Sequence, residues 1–377
     1  MISSEFVPFN KPYIHPRSLK YLSKLIDLGD LQGEGTFTKN SEILIQKISK
    51  VKHVLMTPSC TDALEMAYML IGLKPGDEVI MPSFNFTSAA IAAVKLGGTP
   101  VFVDIEPRTL NISIEEAMSK INKKTRAITF LNYAGYGSDL KAIRSELNKK
   151  GIYLIEDNAH GFGGRFKDIN LGTIGDISVQ SFHSTKNIQC GEGGAISFSN
   201  DALLPNAQII RQKGTNRHDY NLKKVSKYSW VGQGSSYLAS ELQAAVLYTQ
   251  LQEFNKIQDS RNVTWFKYMN GIHMKDSRLP LDNEMYTHTS HIFYMLLPTS
   301  KIREDFIQYM KKHKIQTVSH YEPLHNSIAG KKYGKSSGAY LNTINISQTI
   351  VRLPIWKGLP VNSQNRIIDL INNYKAS

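Results

Sequence analysis

The sequence has few of the features that mark secreted, membrane-spanning or metal-binding proteins. Its 377 residues include two cysteines, Cys60 and Cys190, too few for a disulfide framework and compatible with a reducing compartment. No apolar stretch reaches the roughly 20 residues of a membrane span, and residues 1–10 lack the pattern of a secretory signal. Neither H-E-x-x-H nor paired C-x-x-C occurs. We therefore expect a cytoplasmic protein with no metal site and no membrane association.

Negative charge is also scarce. The chain has 45 Lys and Arg against 32 Asp and Glu, a net charge of +13. Such a balance is compatible with nucleic acids, phosphate-bearing surfaces or anionic metabolites as partners. The cations are scattered in short groups, and no stripe alternates basic with aromatic residues, so solvated side chains explain most of them. We expect no nucleic-acid partner, although a nucleic-acid binder is a rival interpretation of the charge.

Short apolar runs alternate with longer segments of helical period. The runs show no clean alternation of apolar and polar residues, which is typical of strands covered on both faces. The predicted strands are 53–57, 78–81, 100–104, 127–132, 152–157, 177–181 and 195–198, and the predicted helices between them are 61–72, 83–96, 114–121 and 140–149. This order predicts an α/β fold with a mostly parallel sheet over residues 50–200.

The pattern changes after Ser199. A polar, basic stretch leads to a strongly helical segment at 240–254, and apolar runs near 291–297 and 315–318 indicate a smaller α/β unit. We therefore predict a large domain at 1–255 and a small C-terminal domain at 256–377.

Three polar clusters each follow a predicted strand, where open parallel sheets usually bind ligands. Ser59, Cys60 and Thr61 precede a helix, so that hydroxyls and backbone amides could surround a phosphate there. Asp157 ends a later apolar strand, with His160 close behind it. A buried carboxylate needs a cationic or hydrogen-bonding partner, such as a protonated pyridine nitrogen. Taken singly, the first cluster is also typical of a helix cap, and the second of a structural aspartate.

The third cluster contains Lys186, which follows the strand at 177–181 and precedes a glycine-rich turn at 191–194. A desolvated lysine amine is nucleophilic near neutral pH and can form a Schiff base, whereas a lone lysine in a loop is normally just solvated. Together the three clusters supply a phosphate cup, a pyridinium partner and a lysine, the requirements of pyridoxal 5′-phosphate (PLP).

The chain resembles the DegT/StrS family of PLP-dependent sugar aminotransferases over nearly its whole length. The matching segments are Val7-Pro8-Phe9-Asn10, Gly33-Glu34-Gly35-Thr36-Phe37-Thr38, Pro75-Gly76-Asp77-Glu78-Val79-Ile80-Met81-Pro82-Ser83, Glu156-Asp157, Ser181-Phe182-His183-Ser184-Thr185-Lys186-Asn187, Gly191-Glu192-Gly193-Gly194, Ser240-Glu241-Leu242-Gln243-Ala244-Ala245 and His320-Tyr321-Glu322-Pro323-Leu324-His325. The resemblance implies a fold-type I aminotransferase with a seven-stranded, mixed, mostly parallel sheet and a smaller C-terminal α/β domain. It also implies a homodimer with active sites at the subunit interface.

Site roles follow from the same resemblance. Lys186 would bind PLP covalently, Asp157 would pair with its ring nitrogen, and Phe86 would stack on its ring. The other implied cofactor contacts are Ser59, Cys60, Thr61, His160, Ser181, His183 and Ser236, and the implied substrate contacts are Arg217, His320, Tyr321 and His325. His160 stands where many members have glutamine. Ser236 stands where much of the family has an asparagine that reaches the phosphate bound by the other subunit.

Within the family, the chain looks most like the branch that makes dTDP-4-amino-4,6-dideoxygalactose. The segments that point to it are Ser59-Cys60-Thr61, Thr215-Asn216-Arg217 and Gly234-Ser235-Ser236. This similarity implies that L-glutamate aminates a dTDP-linked keto-deoxy sugar, dTDP-4-dehydro-6-deoxy-D-glucose, for a cell-surface polysaccharide. The alternatives are the gluco epimer, amination at C3 of the 3-keto isomer, and a PLP-bound regulator without turnover. Relatives that deoxygenate sugars have histidine in place of the lysine, so Lys186 favours transamination.

Overall fold

The computed structural model describes residues 5–375, so residues 1–4 and 376–377 of the predicted domains lie outside the described residues. Fourteen α-helices lie within that range, and none of them is both long and apolar enough to cross a membrane. The helices are α1 (Arg17–Leu28), α2 (Thr36–Ser49), α3 (Cys60–Leu70), α4 (Ser88–Lys95), α5 (Ile114–Ser119), α6 (Leu140–Lys149), α7 (Leu204–Arg211), α8 (Arg217–Asn221), α9 (Glu241–Gln252), α10 (Phe254–Gly271), α11 (Ser300–Lys312), α12 (Ile328–Tyr333), α13 (Leu341–Thr349) and α14 (Val361–Asn372).

The strands of the described residues form one large sheet and two small ones. They are β1 (His53–Thr57), β2 (Glu78–Pro82), β3 (Thr99–Val103), β4 (Thr125–Leu131), β5 (Tyr153–Asp157), β6 (Arg165–Phe166), β7 (Ile169–Asn170), β8 (Ile177–Ser181), β9 (Gly194–Phe198), β10 (Tyr286–Thr287), β11 (Tyr294–Leu296), β12 (Lys335–Ser336) and β13 (Ile350–Arg352). The large sheet has the order β1-β9-β8-β5-β4-β2-β3-β12. Seven of its strands match the seven predicted ones, with ends that differ by at most two residues.

The eighth strand, β12, is a difference from the expected seven-stranded sheet. It comes from the C-terminal part of the chain and pairs in parallel with β3 at the sheet edge. The Lys335 Nζ lies 2.6 Å from the buried carboxylate of Glu78, an ion pair that attaches this segment to the edge. A two-residue strand made of Lys and Ser has no apolar run, so its sequence carries no strand signal.

The strand directions bring three chain segments to one edge of the sheet. β5 and β8 are parallel to each other, while β9 is antiparallel to both β8 and β1. Consequently β1, β5 and β8 run in the same direction, and their carboxyl ends lie at the same edge. Ser59–Thr61 follow β1, Asp157 is the last residue of β5, and Lys186 follows β8.

Helix α4 begins five residues later than the sequence predicts, at Ser88 instead of residue 83. The intervening residues form a loop held by their own side chains. The Asn85 Oδ1 accepts a hydrogen bond of 2.7 Å from the backbone amide of Phe86, and the Ser83 hydroxyl lies 2.6 Å from His325 Nδ1. Side chains that bond to nearby backbone in this way compete with helix formation.

The C-terminal part has its own apolar core, which packs α10, α11 and α14 around the pair β11–β13. Val7 of the N-terminal segment joins this core. The strand expected at 315–318 is absent; its residues make only single bridges, Val7 with Ile315 and Val318 with Arg352. Because Val7 and Arg352 each pair with this segment at a single residue, the segment has no continuous ladder of backbone hydrogen bonds. The domain boundary at residue 255 stays a prediction, next to the start of α10.

Candidate active site

A cavity of about 570 Å³ opens where β5 and β8 end. Most of the site residues expected from the sequence line this cavity. The nominated residues in its lining are Ser59, Cys60, Thr61, Phe86, Asp157, His160, Ser181, His183, Lys186, His320 and Tyr321. The described residues contain no group of three or more His, Cys, Asp and Glu side chains arranged to hold a metal ion.

The start of α3 forms one wall of the cavity. The Ser59 hydroxyl caps this helix, because it accepts from the Asp62 amide at 3.1 Å and donates to the Asp62 carboxylate at 2.8 Å. The amides of Cys60 and Thr61 donate to no described residue. Gly194 of β9 packs against the start of α3, and a Cβ at this position would collide with the backbone of Ser59 and Cys60. This close approach keeps the helix start against β9, so that its amides border the cavity and can receive an anion.

Asp157 is the last residue of β5 and is 5% exposed. Its Oδ1 accepts a hydrogen bond of 3.1 Å from the Ala159 amide, whereas its Oδ2 accepts none from the described residues. Burial raises the pKa of Asp157, although that backbone hydrogen bond and the charge of Lys186 act in the opposite direction. The carboxylate therefore lacks a bonded cation and faces a cavity that could supply one.

Lys186 follows β8 by five residues and its amine makes no hydrogen bond to any described residue. Burial lowers the pKa of this amine to about 8, while Cys60 and Asp157 raise it and Arg352 lowers it further. At that pKa about a tenth of the amine is unprotonated at pH 7 and about half at pH 8, far more than for an ordinary lysine. The side chain can therefore act as a nucleophile and as a proton carrier.

His160 is a neutral histidine with a defined tautomer. Burial lowers its pKa far below the ordinary value, and the charges of Lys186 and Arg352 add to this effect. Its Nδ1 accepts from the Ala134 amide at 3.3 Å, so the ring hydrogen is on Nε2. Nε2 therefore donates to the Tyr321 hydroxyl, also at 3.3 Å.

His320 and Tyr321 stack on each other with ring centroids 3.7 Å apart. The His320 Nδ1 lies 2.7 Å from the buried hydroxyl of Tyr133, which fixes the imidazole in the cavity wall. Tyr321 has φ +33°, a left-handed value that costs energy for a bulky residue. The surrounding contacts hold this conformation, which turns two adjacent aromatic residues toward one cavity.

Phe86 is 59% exposed although it lines the cavity. Because residues of the same chain cover so little of the Phe86 ring, one face of the ring is available to a planar ligand. Its nearest aromatic neighbour is Tyr321, with ring centroids 6.4 Å apart.

Three nominated residues lie outside the cavity lining of this chain. Arg217 opens the short helix α8, and Ser236 is exposed and bridges to Gln212 through its backbone. His325 is buried. Its Nδ1 lies 2.6 Å from the Ser83 hydroxyl, and its ring stacks on Tyr340 with ring centroids 3.9 Å apart. Its contacts are those of a residue that supports the loop before α4.

Arg352 is a cavity residue that sequence reasoning missed. It ends β13, lines the cavity and has no acidic partner among the described residues. Its buried Nε has no hydrogen-bond partner, and its guanidinium lies over the ring of Phe9 at 4.8 Å. Burial lowers the pKa of Arg352, yet an arginine stays charged near neutral pH. The available signal was a charged residue inside the apolar run 350–355.

Comparison with known proteins identifies the kind of site. The model of the DegT/DnrJ/EryC1/StrS aminotransferase family matches residues 12–372. The chain belongs to this family. It is 27% identical to GDP-perosamine synthase of Vibrio cholerae over 98% of this chain and 99% of that protein. It is 26% identical to the spore coat polysaccharide biosynthesis protein SpsC of Bacillus subtilis, over 98% and 97% of the two chains.

Solved structures agree on the fold. The aminotransferase TlmJ of Streptoalloteichus hindustanus has a TM-score of 0.89 at 24% identity, with 98% of each chain covered. DesV of S. venezuelae has a TM-score of 0.85 at 25% identity, with 94% of this chain and 93% of that chain covered. The expected fold-type I aminotransferase architecture is thus confirmed. The protein is a sugar aminotransferase of this family, and its cofactor is PLP.

The residues of this aminotransferase fit PLP on three observations. Among the described residues, the amides of Cys60 and Thr61 have no partner and suit a phosphate, Asp157 Oδ2 has no partner and suits a protonated ring nitrogen, and Lys186 is a desolvated amine without a hydrogen bond. These groups lie around one cavity.

Proposed function

We propose that this chain transfers the amino group of L-glutamate to the keto group of a nucleotide-linked 6-deoxyhexose. The observation that carries the proposal is the shared cavity of Lys186, Asp157 and the α3 start, with a lysine pKa of about 8. Each of the two half-reactions needs one group that takes and returns a proton, and a lysine with this pKa can do both near neutral pH.

Two residues, Asp157 and Lys186, share the chemical work with the cofactor. When bound, PLP supplies an electron sink for the negative charge that forms on the substrate carbon. Asp157 holds a proton on the ring nitrogen, because its carboxylate is buried and otherwise lacks a cation. Lys186 anchors the cofactor, and its Nζ accepts a proton from the amino donor and returns it during the second half-reaction.

Arg352 supports a carboxylate-bearing amino donor. It is a partly buried cation in the cavity wall, without an acidic partner among the described residues. A substrate carboxylate can accept two parallel hydrogen bonds from its guanidinium and neutralise the charge. We therefore assign one carboxylate of glutamate to Arg352.

For the acceptor we propose dTDP-4-dehydro-6-deoxy-D-glucose, with dTDP-4-amino-4,6-dideoxy-D-galactose as the product. Its support is the sequence match around Ser59-Cys60-Thr61, Thr215-Asn216-Arg217 and Gly234-Ser235-Ser236. The gluco epimer and C3 amination are the competing outcomes. A GDP-linked 4-keto sugar is a second candidate, because the Vibrio cholerae relative is a GDP-perosamine synthase.

We also propose a cytoplasmic homodimer that serves cell-surface polysaccharide synthesis. Arg217 and Ser236 lie outside the cavity of their own chain, which is compatible with a role at the site of the second subunit. Light scattering on the purified protein tests the dimer directly, with a mass near 42.4 kDa as the outcome against it.

The substrate is tested by incubating the protein with PLP, glutamate and a panel of dTDP- and GDP-linked 3-keto and 4-keto 6-deoxy sugars. We expect 2-oxoglutarate to form with the dTDP-linked 4-keto sugar, and a small H3–H4 coupling in the NMR spectrum of the product. A large H3–H4 coupling contradicts the galacto assignment. Reaction only with a 3-keto sugar contradicts the position, and reaction only with GDP sugars contradicts the nucleotide.

A further inference from the structure

A second, very small cavity lies beside Lys186. It has a volume of about 10 Å³, which is the room needed by one water molecule. Its lining residues are Ala159, His160, Phe162, Ser181, Lys186, Asn187, Ile188 and His291. Three of them, His160, Ser181 and Lys186, are expected to contact the cofactor, but neither Asn187 nor His291 has a role in the function proposed above.

Asn187 determines which nitrogen of His291 carries the hydrogen. The Asn187 Nδ2 donates to the Thr289 carbonyl at 2.6 Å and to Gln258 Oε1 at 3.3 Å. Its Oδ1 therefore faces His291 Nδ1, at 3.0 Å. Because an amide oxygen only accepts, His291 Nδ1 must be the donor.

The ring of His291 is neutral. Burial lowers its pKa far below the ordinary value, and the charges of Lys186, His160, Arg261 and Arg352 lower it further. A neutral imidazole has one N–H, which here is on Nδ1. Nε2 consequently has a free lone pair and makes no hydrogen bond to any described residue. It lies on the ring of a side chain that borders both cavities next to Lys186.

We propose that His291 is a positioning residue for Lys186, whose Nζ donates to the Nε2 lone pair of His291 through one water in the small cavity. Asn187 fixes the required tautomer of His291. Because Asn187 is next to Lys186 in the chain, the residue that holds His291 is attached directly to the residue that His291 positions. This inference rests on the proposed function in one respect, namely that Lys186 is the residue that carries the proton.

The titratable groups around Lys186 leave few other acceptors. Cys60, Asp157 and Arg352 act on the pKa of Lys186, Lys186 in turn lowers the pKa of His160, His291 and His320, and Arg261 also lines the cavity. The arginines only donate, the Nδ1 of His160 already accepts from Ala134, and the Nδ1 of His320 is bonded to the hydroxyl of Tyr133. Asp157 is assigned to the cofactor ring nitrogen. An acceptor at His291 offsets part of the desolvation of the Lys186 ammonium and holds its Nζ in one direction.

The inference is tested by measuring the pKa of Lys186 in the full chain after removal of PLP. Competitive acetylation with acetic anhydride over a range of pH, read by mass spectrometry of the Lys186 peptide, reports the unprotonated fraction. For His291→Phe we expect the Lys186 pKa to fall by about one unit, the size of one hydrogen bond to a charged group. His291→Gln keeps a donor for Asn187 and an acceptor for the water, so it should stay close to the wild type.

His288→Phe is the matched control. His288 is a buried, neutral histidine three residues away that stacks on Trp265 at 4.4 Å and bonds to the Ser290 amide, without lining either cavity. It should leave the Lys186 pKa unchanged. Thermal unfolding establishes that each variant is folded, and His291→Leu replaces His291→Phe if the latter is not. Overlapping labelling curves for wild type and the folded apolar variant overturn the proposal, whatever substrate the enzyme uses.

Discussion

Replacing Arg352 with methionine separates a binding role of this residue from a structural one. Methionine has a similar length and no charge, so it fills the same wall of the cavity. Arg352 has no acidic partner among the described residues and its Nε has no hydrogen-bond partner. If its purpose is to bind a carboxylate, its removal should weaken substrate binding without weakening the fold.

The magnitude follows from the interaction that is lost. A hydrogen bond to a charged group is worth about 1.5–3 kcal/mol, and a carboxylate can accept two from one guanidinium. Taking about 3 kcal/mol as the net loss, kcat/KM for glutamate should fall roughly 150-fold, since about 1.4 kcal/mol is a factor of ten. The stability should stay equal or rise, because the variant no longer buries an uncompensated cation.

The assay is the initial rate of 2-oxoglutarate formation against glutamate concentration, together with thermal unfolding of the cofactor-free protein. Arg126→Met is the control, because Arg126 donates to the Ile71 carbonyl, stacks on Tyr153 at 5.1 Å and lies outside the cavity lining. It should lower stability and leave kcat/KM unchanged. A stability loss in Arg352→Met with unchanged glutamate kinetics would refute the reasoning.

Three further substitutions test the remaining charged groups. Lys186→Ala should retain PLP but lose turnover by about two to four decades, the contribution of a general acid–base group; near-normal multiple turnover would rule out its role. Asp157→Asn should bind PLP more weakly, as fluorescence titration would measure. In cofactor-free wild type, stability should fall as the pH rises from the ordinary carboxylate pKa to the raised value of Asp157, and thermal unfolding of the asparagine variant should lack this loss. Arg211→Ala should destabilise the fold by about 3–5 kcal/mol in denaturant unfolding, because Arg211 is 3% exposed and contacts Glu34 at 2.6 Å and Glu42 at 2.9 Å. An unchanged unfolding midpoint would show that solvent or other groups compensate these carboxylates.

The seven main strands could be predicted because most of them are short apolar runs that are buried in the structure. The residues 53–57, for example, are predicted and observed as one strand, and its apolar residues Val54, Leu55 and Met56 are buried. The two-residue strand β12 could not be predicted, since an ion pair with Glu78 holds it and no local pattern records that contact. The run at 315–318 failed for the opposite reason: it is apolar enough, but its neighbours pair with it at single residues.

The same distinction holds for the site. Asp157 and Lys186 are recognisable because Asp157 ends one strand and Lys186 follows another by five residues, and both strands end at the cavity. Arg352 and His291 belong to the C-terminal part and reach the cavity only when that part packs onto the sheet. Their sequence neighbourhoods are apolar strands, where a single charged or titratable residue gives little indication of the side chains across the fold.

The cavity therefore contains charged groups of both signs that its own chain leaves unsatisfied. Within residues 5–375, Asp157 lacks a cation at one oxygen, Arg352 lacks an acidic partner, and the Lys186 ammonium is desolvated. Each arrangement costs stability in the empty protein, and each becomes favourable with one ligand group: a protonated ring nitrogen, a carboxylate, or an aldehyde that takes up the amine. Exchanging Asp157 with Arg352 would bring like charges together at both places, because a carboxylate would face the donor carboxylate and a guanidinium would face the protonated ring nitrogen. The order of charges around the cavity thus orients the cofactor and the amino donor before any sugar is bound.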